Sequence, residues 1–363
     1  MKIMQIISQL GNGGAEKLVV ELSNELENKN QVVLVSFRKI REWMYFPKKL
    51  KTSIELIELN KKEGFDFTTI LKLMNVIRKE QPDVINIHLE STLKYTMMIM
   101  PFFRKTKFVY TIHSNLEYSE KYFRKFSKIW FFKNIQFVCL SEEISGEFRE
   151  SFPSLNFETI NNGIANLKMT EKVLLVKEEI EKYKSDKNTF IMLYVGRLSY
   201  EKNIPLLLDV CSKIDEKNVK LLVIGKDSSE EQNNFKLVKN YKRNNLIYLG
   251  AKENVQDHMK YANALLLTSR YEGLPLVVLE ALSLELPIIS TPVGSLVKII
   301  ENSKNGFVSD EISTTSVVKA IEALLALTDQ EREEIKSNNR ELFEQKYSIE
   351  HCANSYDICY QNI

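Results

Sequence analysis

Four charged residues in the second half of this chain stand where one ligand could meet them all. Arg197 follows Gly196 at the end of an apolar run, and Lys202 stands five residues on. Glu272 lies in Arg270-Tyr271-Glu272-Gly273-Leu274-Pro275 after another such run, and Glu280 lies within PLVVLEALSL. A lysine in the first turn of a helix opposes the helix dipole, which favours anions there. Lys202 is therefore odd as decoration and sensible as a phosphate partner. Gly273 lets a backbone approach closely and Pro275 suits a first helical position. Such a helix start offers N–H groups to an anion. With Arg197 and Lys202 as counter-charges, this is the chemistry of a diphosphate site that needs no metal. Glu280 is apolar-flanked, and a buried carboxylate must be paired or hydrogen-bonded. A sugar diol such as a ribose would satisfy it; escape to solvent at the helix edge is the plainer alternative. Arg197 alone reads more readily as a solvated loop charge, and Glu272 equally as a ligand contact or a helix cap.

Strand ends must position these residues. In the first half, short β-branched runs at 2–8, 31–37, 54–59, 83–88, 107–113, 137–141 and 157–160 alternate with helical patterns such as 15–28 and 67–80. In the second half the runs fall at 189–196, 219–225, 245–250, 264–269, 287–291 and 306–309. This rhythm predicts right-handed crossovers and mostly parallel sheets covered on both faces. Open parallel sheets bind ligands outside the carboxyl ends of their strands. Gly196-Arg197, Gly225-Lys226-Asp227, Arg270–Pro275 and Pro292-Val293-Gly294-Ser295 all fall at such ends.

The 363 residues suggest two domains, 44% hydrophobic content can fill two cores, and the formal charge of +2 does not call for nucleic acid. The expected division is 1–165, a polar linker at 166–188, a second domain over 189–345, and a last helix over 346–363. Cys139, Cys211, Cys352 and Cys359 form no CxxC pair and read as reduced thiols. The N-terminus shows no basic and long apolar leader, and the apolar stretch 95–103 is about half a bilayer span. The chain is therefore expected in the cytoplasm, with peripheral contact at the inner face of the membrane left open. One region is uneven: from Lys94 to Lys133 there are nine Lys/Arg against two Glu, interleaved with aromatics. It is either a solvated basic face or a surface for anionic lipid and a lipid-linked acceptor; no nucleic-acid motif accompanies it.

The stretch SRYEGLPLVVLEAL (269–282) resembles the signature of the retaining glycosyltransferases of family 4, in which two glutamates are separated by seven residues as Glu272 and Glu280 are. GNGGAEK (11–17), YTIHS (110–114), INNGI (160–164) and VGRLSYEKN (195–203) match in the same order, over essentially the whole chain. The resemblance implies the GT-B fold, two Rossmann-like domains facing a cleft with C-terminal helices crossing back toward the first domain. It implies transfer from a nucleotide-diphosphate sugar, UDP before GDP, to a saccharide or lipid-linked saccharide in polysaccharide assembly, without a cofactor. Arg197 and Lys202 would hold the diphosphate, Glu280 the ribose, and Glu272 the sugar. Gly196 and the backbone of Gly273, Leu274, Pro275 and Leu276 would line the donor. His113 would meet the donor sugar, and Gly13-Gly14 would lie near phosphate and acceptor. Ala165, Gly294-Ser295 with Lys298, and the single Gly225 depart from the family pattern. A catalytically silent partner subunit of a glycosylation complex is the alternative. A dinucleotide-dependent oxidoreductase is disfavoured, because GNGGAE lacks the GxGxxG spacing and the second strand ends in Phe37-Arg38.

Overall fold

The computed structural model describes the chain apart from residues 12, 114–122, 124–129, 216 and 227–231. It divides into two compact units, Met1–Ala165 with Lys346–Ile363, and Asn166–Gln345. The chain thus leaves the first unit after Ala165 and returns to it for its last helix. Residues 166–188, whose polar composition suggests a linker, belong to the second unit. There the Val173–Glu181 helix packs on the Val255–Tyr261 helix, anchored where Thr170 N donates to Asp257 Oδ1 at 2.8 Å.

The first unit holds seven strands: β1 (Lys2–Ile7), β2 (Gln31–Ser36), β3 (Glu55–Glu58), β4 (Val84–His88), β5 (Lys107–Ile112), β6 (Ile135–Cys139) and β7 (Phe157–Thr159). Their order is β3-β2-β1-β4-β5-β6-β7, and every pairing is parallel. The second unit holds β8 (Phe190–Val195), β9 (Val219–Ile224), β10 (Leu246–Gly250), β11 (Ala264–Leu267), β12 (Ile288–Ser290) and β13 (Gly306–Val308). Their order is β10-β9-β8-β11-β12-β13, again wholly parallel. Both are doubly wound Rossmann-type sheets, whose order reverses beside the first strand. The switch points lie between β1 and β4 and between β8 and β11.

Local chemistry explains the helices between the strands. The Phe67–Glu80 helix begins where the Asp66 side chain accepts from Thr68 N and stops at Gln81, which takes a left-handed φ of 48°. Helices cover both sheet faces. One face of the first sheet packs Ile85, Phe108, Tyr110 and Phe137 against Phe123, Phe132 and Phe148. The other packs Ile3, Val84 and Val109 against Leu18, Leu22, Cys352 and Tyr356. The four cysteines are free and buried, and burial pushes the Cys139, Cys352 and Cys359 thiols up to about 12, which leaves them unreactive. Among the described residues no helix is long and apolar enough to cross a membrane.

The glycine of INNGI has a packing role. A Cβ on Gly163 would lie 2.6 Å from Cys352 Cβ and 2.7 Å from the Ser348 carbonyl. Beside it Ile164 N donates to Tyr347 O and Ile349 N donates to Ile164 O. Gly163 therefore lets the returning Ile349–Asn362 helix close onto the first unit. Overpacking at such a contact costs about 1–3 kcal/mol. Gly163→Ala is expected to lower the unfolding free energy by that amount in urea titration, whereas an unchanged midpoint would show that the helix can yield.

Candidate functional site

The polar rim of the second unit is built from the carboxyl ends of β8, β9, β11 and β12. After β8 the chain runs through Gly196 and exposed Arg197, with the buried Tyr194 hydroxyl donating to Arg197 O at 2.8 Å. A Cβ on Gly225, at the end of β9, would lie 1.9 Å from Gly196 O. The two loops touch backbone to backbone, and only glycine permits it. Gly196 N donates to Ile224 O and Leu198 N to Lys226 O, both at 3.0 Å.

Lys202 does not sit in the first turn of the following helix. It ends a single 3-10 turn, Tyr200–Lys202, and Asn203 at φ 53° breaks the path before the Ile204–Lys213 helix begins. The left-handed residue turns the lysine toward β11. Thr268 Oγ1 donates to Lys202 O at 3.1 Å and Arg270 N to Glu201 O at 2.8 Å, holding the turn against that strand's end. Lys202 Nζ then meets Glu272 Oε1 at 2.5 Å, with only 15% and 9% of the two side chains exposed. Ser269 Oγ donates to the same carboxylate oxygen at 2.6 Å. Arg197 is turned elsewhere: its side chain is 66% exposed and pairs with Glu201 at 2.9 Å.

The loop after β12 supports Glu272 from below. Gly294 adopts φ 53°, and a Cβ there would lie 1.9 Å from Glu272 O. Ser295 Oγ donates to Gly273 O at 2.5 Å, and Thr291 Oγ1 donates to Ser269 O at 2.7 Å. Ser295, a departure from the family pattern, thus fixes the backbone beside the glutamate. Nothing local in the sequence points Ser295 or Thr268 to its partner, because strand order brings those partners, whereas Ser269 meets Glu272 three residues along its own loop.

The helix after Gly273 spans Leu276–Ser283, with Pro275 as its N-cap rather than its first residue. Val278, Leu279, Ala281 and Leu282 are buried, whereas Leu276, Val277 and Glu280 are half-buried. Residues three and four apart share a helix face, so Glu280 lies along the edge that Leu276 and Val277 begin. The expectation of a buried Glu280 is corrected: its apolar neighbours turn inward and it does not. Leu274 and Pro275 are also half-buried, and Gly273 is exposed.

In the first unit, Gly13 caps the Gly14–Leu26 helix and both glycines are exposed. A Cβ on Gly13 would fall 2.5 Å from Glu16 Oε2, and one on Gly11 3.2 Å from Glu16 Oε1. The Glu16 carboxylate therefore folds back over the glycine loop at the positive end of the helix, where an anion is favoured. His113 follows β5, half-buried, with Nε2 2.8 Å from Nδ1 of fully buried His88 at the end of β4. His88 Nε2 reaches the Gln5 amide on β1 at 2.7 Å. Past His88, Leu89 holds a φ of 72° while the Thr92 hydroxyl donates to the His88 carbonyl. Sequence reasoning singled out His113 but not His88, which becomes visible only through the register of β4 and β5.

Of the basic region, Lys121, Arg124, Lys125 and Lys128 lie outside the described residues. Arg104, Lys105, Lys107 and Lys133 are exposed, and Lys94 pairs with Glu90 at 2.6 Å. No group of three His, Cys, Asp or Glu side chains among the described residues could hold a metal ion. Concavities of about 890 and 470 Å³ in the second unit take in Phe190 and Asn263, at the amino ends of β8 and β11. They include none of Arg197, Lys202, Glu272 or Glu280.

A family model described as "Glycosyl transferases group 1" matches residues 176–342, and one described as "Glycosyltransferase Family 4" matches residues 12–165. Among curated proteins the chain is similar to the GalNAc-alpha-(1->4)-GalNAc-alpha-(1->3)-diNAcBac-PP-undecaprenol alpha-1,4-N-acetyl-D-galactosaminyltransferase of Campylobacter jejuni. Identity is 26% over 352 residues, covering 94% of this chain and 93% of that one. Among solved structures it is similar to a glycosyltransferase from Rickettsia africae, with TM-score 0.82, 18% identity, and coverage of 99% and 98%. It is also similar to Anabaena HepE, described in complex with UDP-glucose, with TM-score 0.79, 17% identity and full coverage of both chains.

The histidine pair gives the first unit a pH dependence. Burial holds the His113 imidazole down to about 4, and burial together with His113 pushes His88 well below its ordinary value. The unfolded chain takes up protons at these rings below about pH 6.5 while the folded chain does not, so stability falls as pH drops from there toward 4. His113→Gln is expected to make the slope of unfolding free energy against pH shallower by nearly one proton between pH 6.5 and 4.5. An unchanged slope would place His113 in contact with bulk water.

Proposed function

This chain belongs to the group 1/family 4 glycosyltransferases, and we propose that it moves a sugar from a nucleotide-diphosphate sugar to a saccharide or lipid-linked saccharide in cell-surface polysaccharide assembly. UDP is the favoured nucleotide and GDP the next. The observation that carries this reading is the enclosed Lys202–Glu272 pair on a rim of four strand-end loops. Support for the donor also comes from HepE, which is described with UDP-glucose bound. Support for the acceptor comes from the Campylobacter relative, whose name specifies an undecaprenol-linked saccharide.

In this reading Lys202 holds the donor diphosphate, with Glu272 fixing its ammonium group and contacting the transferred sugar. Arg197, exposed and tied to Glu201 through one hydrogen bond, can leave that partner for a phosphate at little cost, since surface ion pairs contribute little. Glu280, on the half-buried edge that continues from Gly273, takes the ribose hydroxyls. His113 serves the donor sugar and Gly13-Gly14 the phosphate side, as the resemblance implies. The start of the Leu276–Ser283 helix, which has no side-chain cap, adds its dipole.

Transfer breaks the bond from the anomeric carbon to the phosphate oxygen while the acceptor oxygen bonds to that carbon. The transition state is oxocarbenium-like, and negative charge grows on the departing diphosphate. Preorganised cations and dipoles aimed at that charge lower the barrier. With retention of configuration, the acceptor hydroxyl approaches on the leaving-group face and gives its proton to the departing phosphate oxygen. This leaves Glu272 free of the nucleophile role that a glycosidase-type carboxylate pair would demand.

The test is a screen of UDP-, GDP-, ADP- and dTDP-sugars by thermal shift, followed by measurement of nucleotide release and transfer with the one that stabilises the chain. Lys202→Ala and Arg197→Ala are each expected to lower kcat with that donor by about 10²–10³-fold. Full turnover by either variant, at saturating and limiting donor, would remove the proposed clamp.

A further inference from the structure

A line of buried polar groups runs through the first unit from its C-terminal helix to His113. Thr111 Oγ1 donates to Asn86 Oδ1 at 3.0 Å, so the Tyr356 hydroxyl, 3.0 Å from Thr111, is the donor in that contact. Asn86 Nδ2 donates to the Tyr360 hydroxyl oxygen at 2.9 Å. The Tyr360 proton then needs an acceptor of its own. Gln5, Asn86, His88, Thr111 and Tyr356 are wholly buried and Tyr360 is 2% exposed, so water does not supply one.

The Gln5 amide lies between Tyr360 and His88, within hydrogen-bonding reach of both. With its oxygen on His88, its nitrogen is buried without a partner, and the Tyr360 proton has none either. An amide turned over fills the same space, so the hydrogen bonds decide its orientation. Turned over, the oxygen accepts the Tyr360 proton and the nitrogen donates to His88 Nε2. Every group is then satisfied, and a buried polar group without a partner carries its full desolvation cost.

We infer that this chain is polarised in one direction, so that His88 carries its proton on Nδ1, donates it to His113 Nε2, and holds His113 as a neutral imidazole protonated on Nδ1. Gln5, His88 and Tyr360 are positioning residues: they choose the tautomer of His113. Burial, which keeps both rings from protonating near neutral pH, works in the same direction. A neutral ring with its Nε2 lone pair already taken offers a substrate one N–H donor and no basic nitrogen. His113 is thereby a hydrogen-bond donor to a substrate oxygen, and the proton released by an acceptor must go elsewhere. That His113 meets the donor sugar rests on the function proposed above; its tautomer does not.

The experiment is long-range 1H–15N NMR on the full chain with labelled histidine at pH 7.5. The chain has four histidines, and His113→Gln and His88→Gln identify the two rings. The expected spectrum shows His113 with Nδ1 protonated and Nε2 bare; the opposite tautomer, or an imidazolium, overturns the inference. Tyr360→Phe removes the hydroxyl that orients Gln5 and accepts from Asn86, so His113 is expected to become a mixture of both tautomers with the fold retained. A pure Nδ1–H ring in that variant would show that Tyr360 does not set the direction. The predicted tautomer in a chain that transfers no sugar would uphold the inference while the functional reading failed.

Discussion

Lys202 and Glu272 come from different strand-end loops, yet their side chains meet at 2.5 Å with little of either exposed. Such a pair is costly to assemble unless further hydrogen bonds satisfy it, and removing one partner alone costs on the order of 3–5 kcal/mol. Ser269 supplies the additional bond to the carboxylate. The lysine's turn is fastened to β11 through Thr268 and Arg270, and the glutamate's loop rests on Gly294 and Ser295. Neither side chain chooses its position alone, so a diphosphate would arrive at charges already in place.

The constraint beneath this pair is backbone crowding at the switch point. In a doubly wound sheet the loops after the first and fourth strands diverge, and only their neighbours can support them. Here support comes as carbonyl oxygens too close for any side chain: Gly225 against Gly196, and Gly294 against Glu272. The first unit uses the same region of its sheet for a different purpose. It buries Gln5, His88 and Asn86 beside the switch between β1 and β4 and closes them under the returning C-terminal helix, which Gly163 admits.

Strands and most helices were legible because their patterns are local. β-branched runs bounded by glycine and polar residues gave every strand to within one or two residues, and Asp66 marks the start of the Phe67–Glu80 helix by its own side chain. Lys202 was misplaced onto a helix because one left-handed residue, Asn203, decides where that helix begins, and asparagine adopts that conformation without announcing it. Glu280 read as buried because a mostly apolar helix hides which of its faces turns inward. His88 and Ser295 carry no motif that points to their partners; register and strand order bring those partners, and neither is written at one position.

Calorimetric titration of the chain with UDP and UMP, and with GDP and GMP, for the wild type and for Lys202→Ala, tests the donor site most directly. The account predicts that one diphosphate binds about tenfold or more tightly than its monophosphate, a difference of about 1.4 kcal/mol. It also predicts that Lys202→Ala removes most of that preference while leaving the monophosphate unchanged. Equal affinity for mono- and diphosphate in the wild type, or a preference that survives the loss of Lys202, would contradict it.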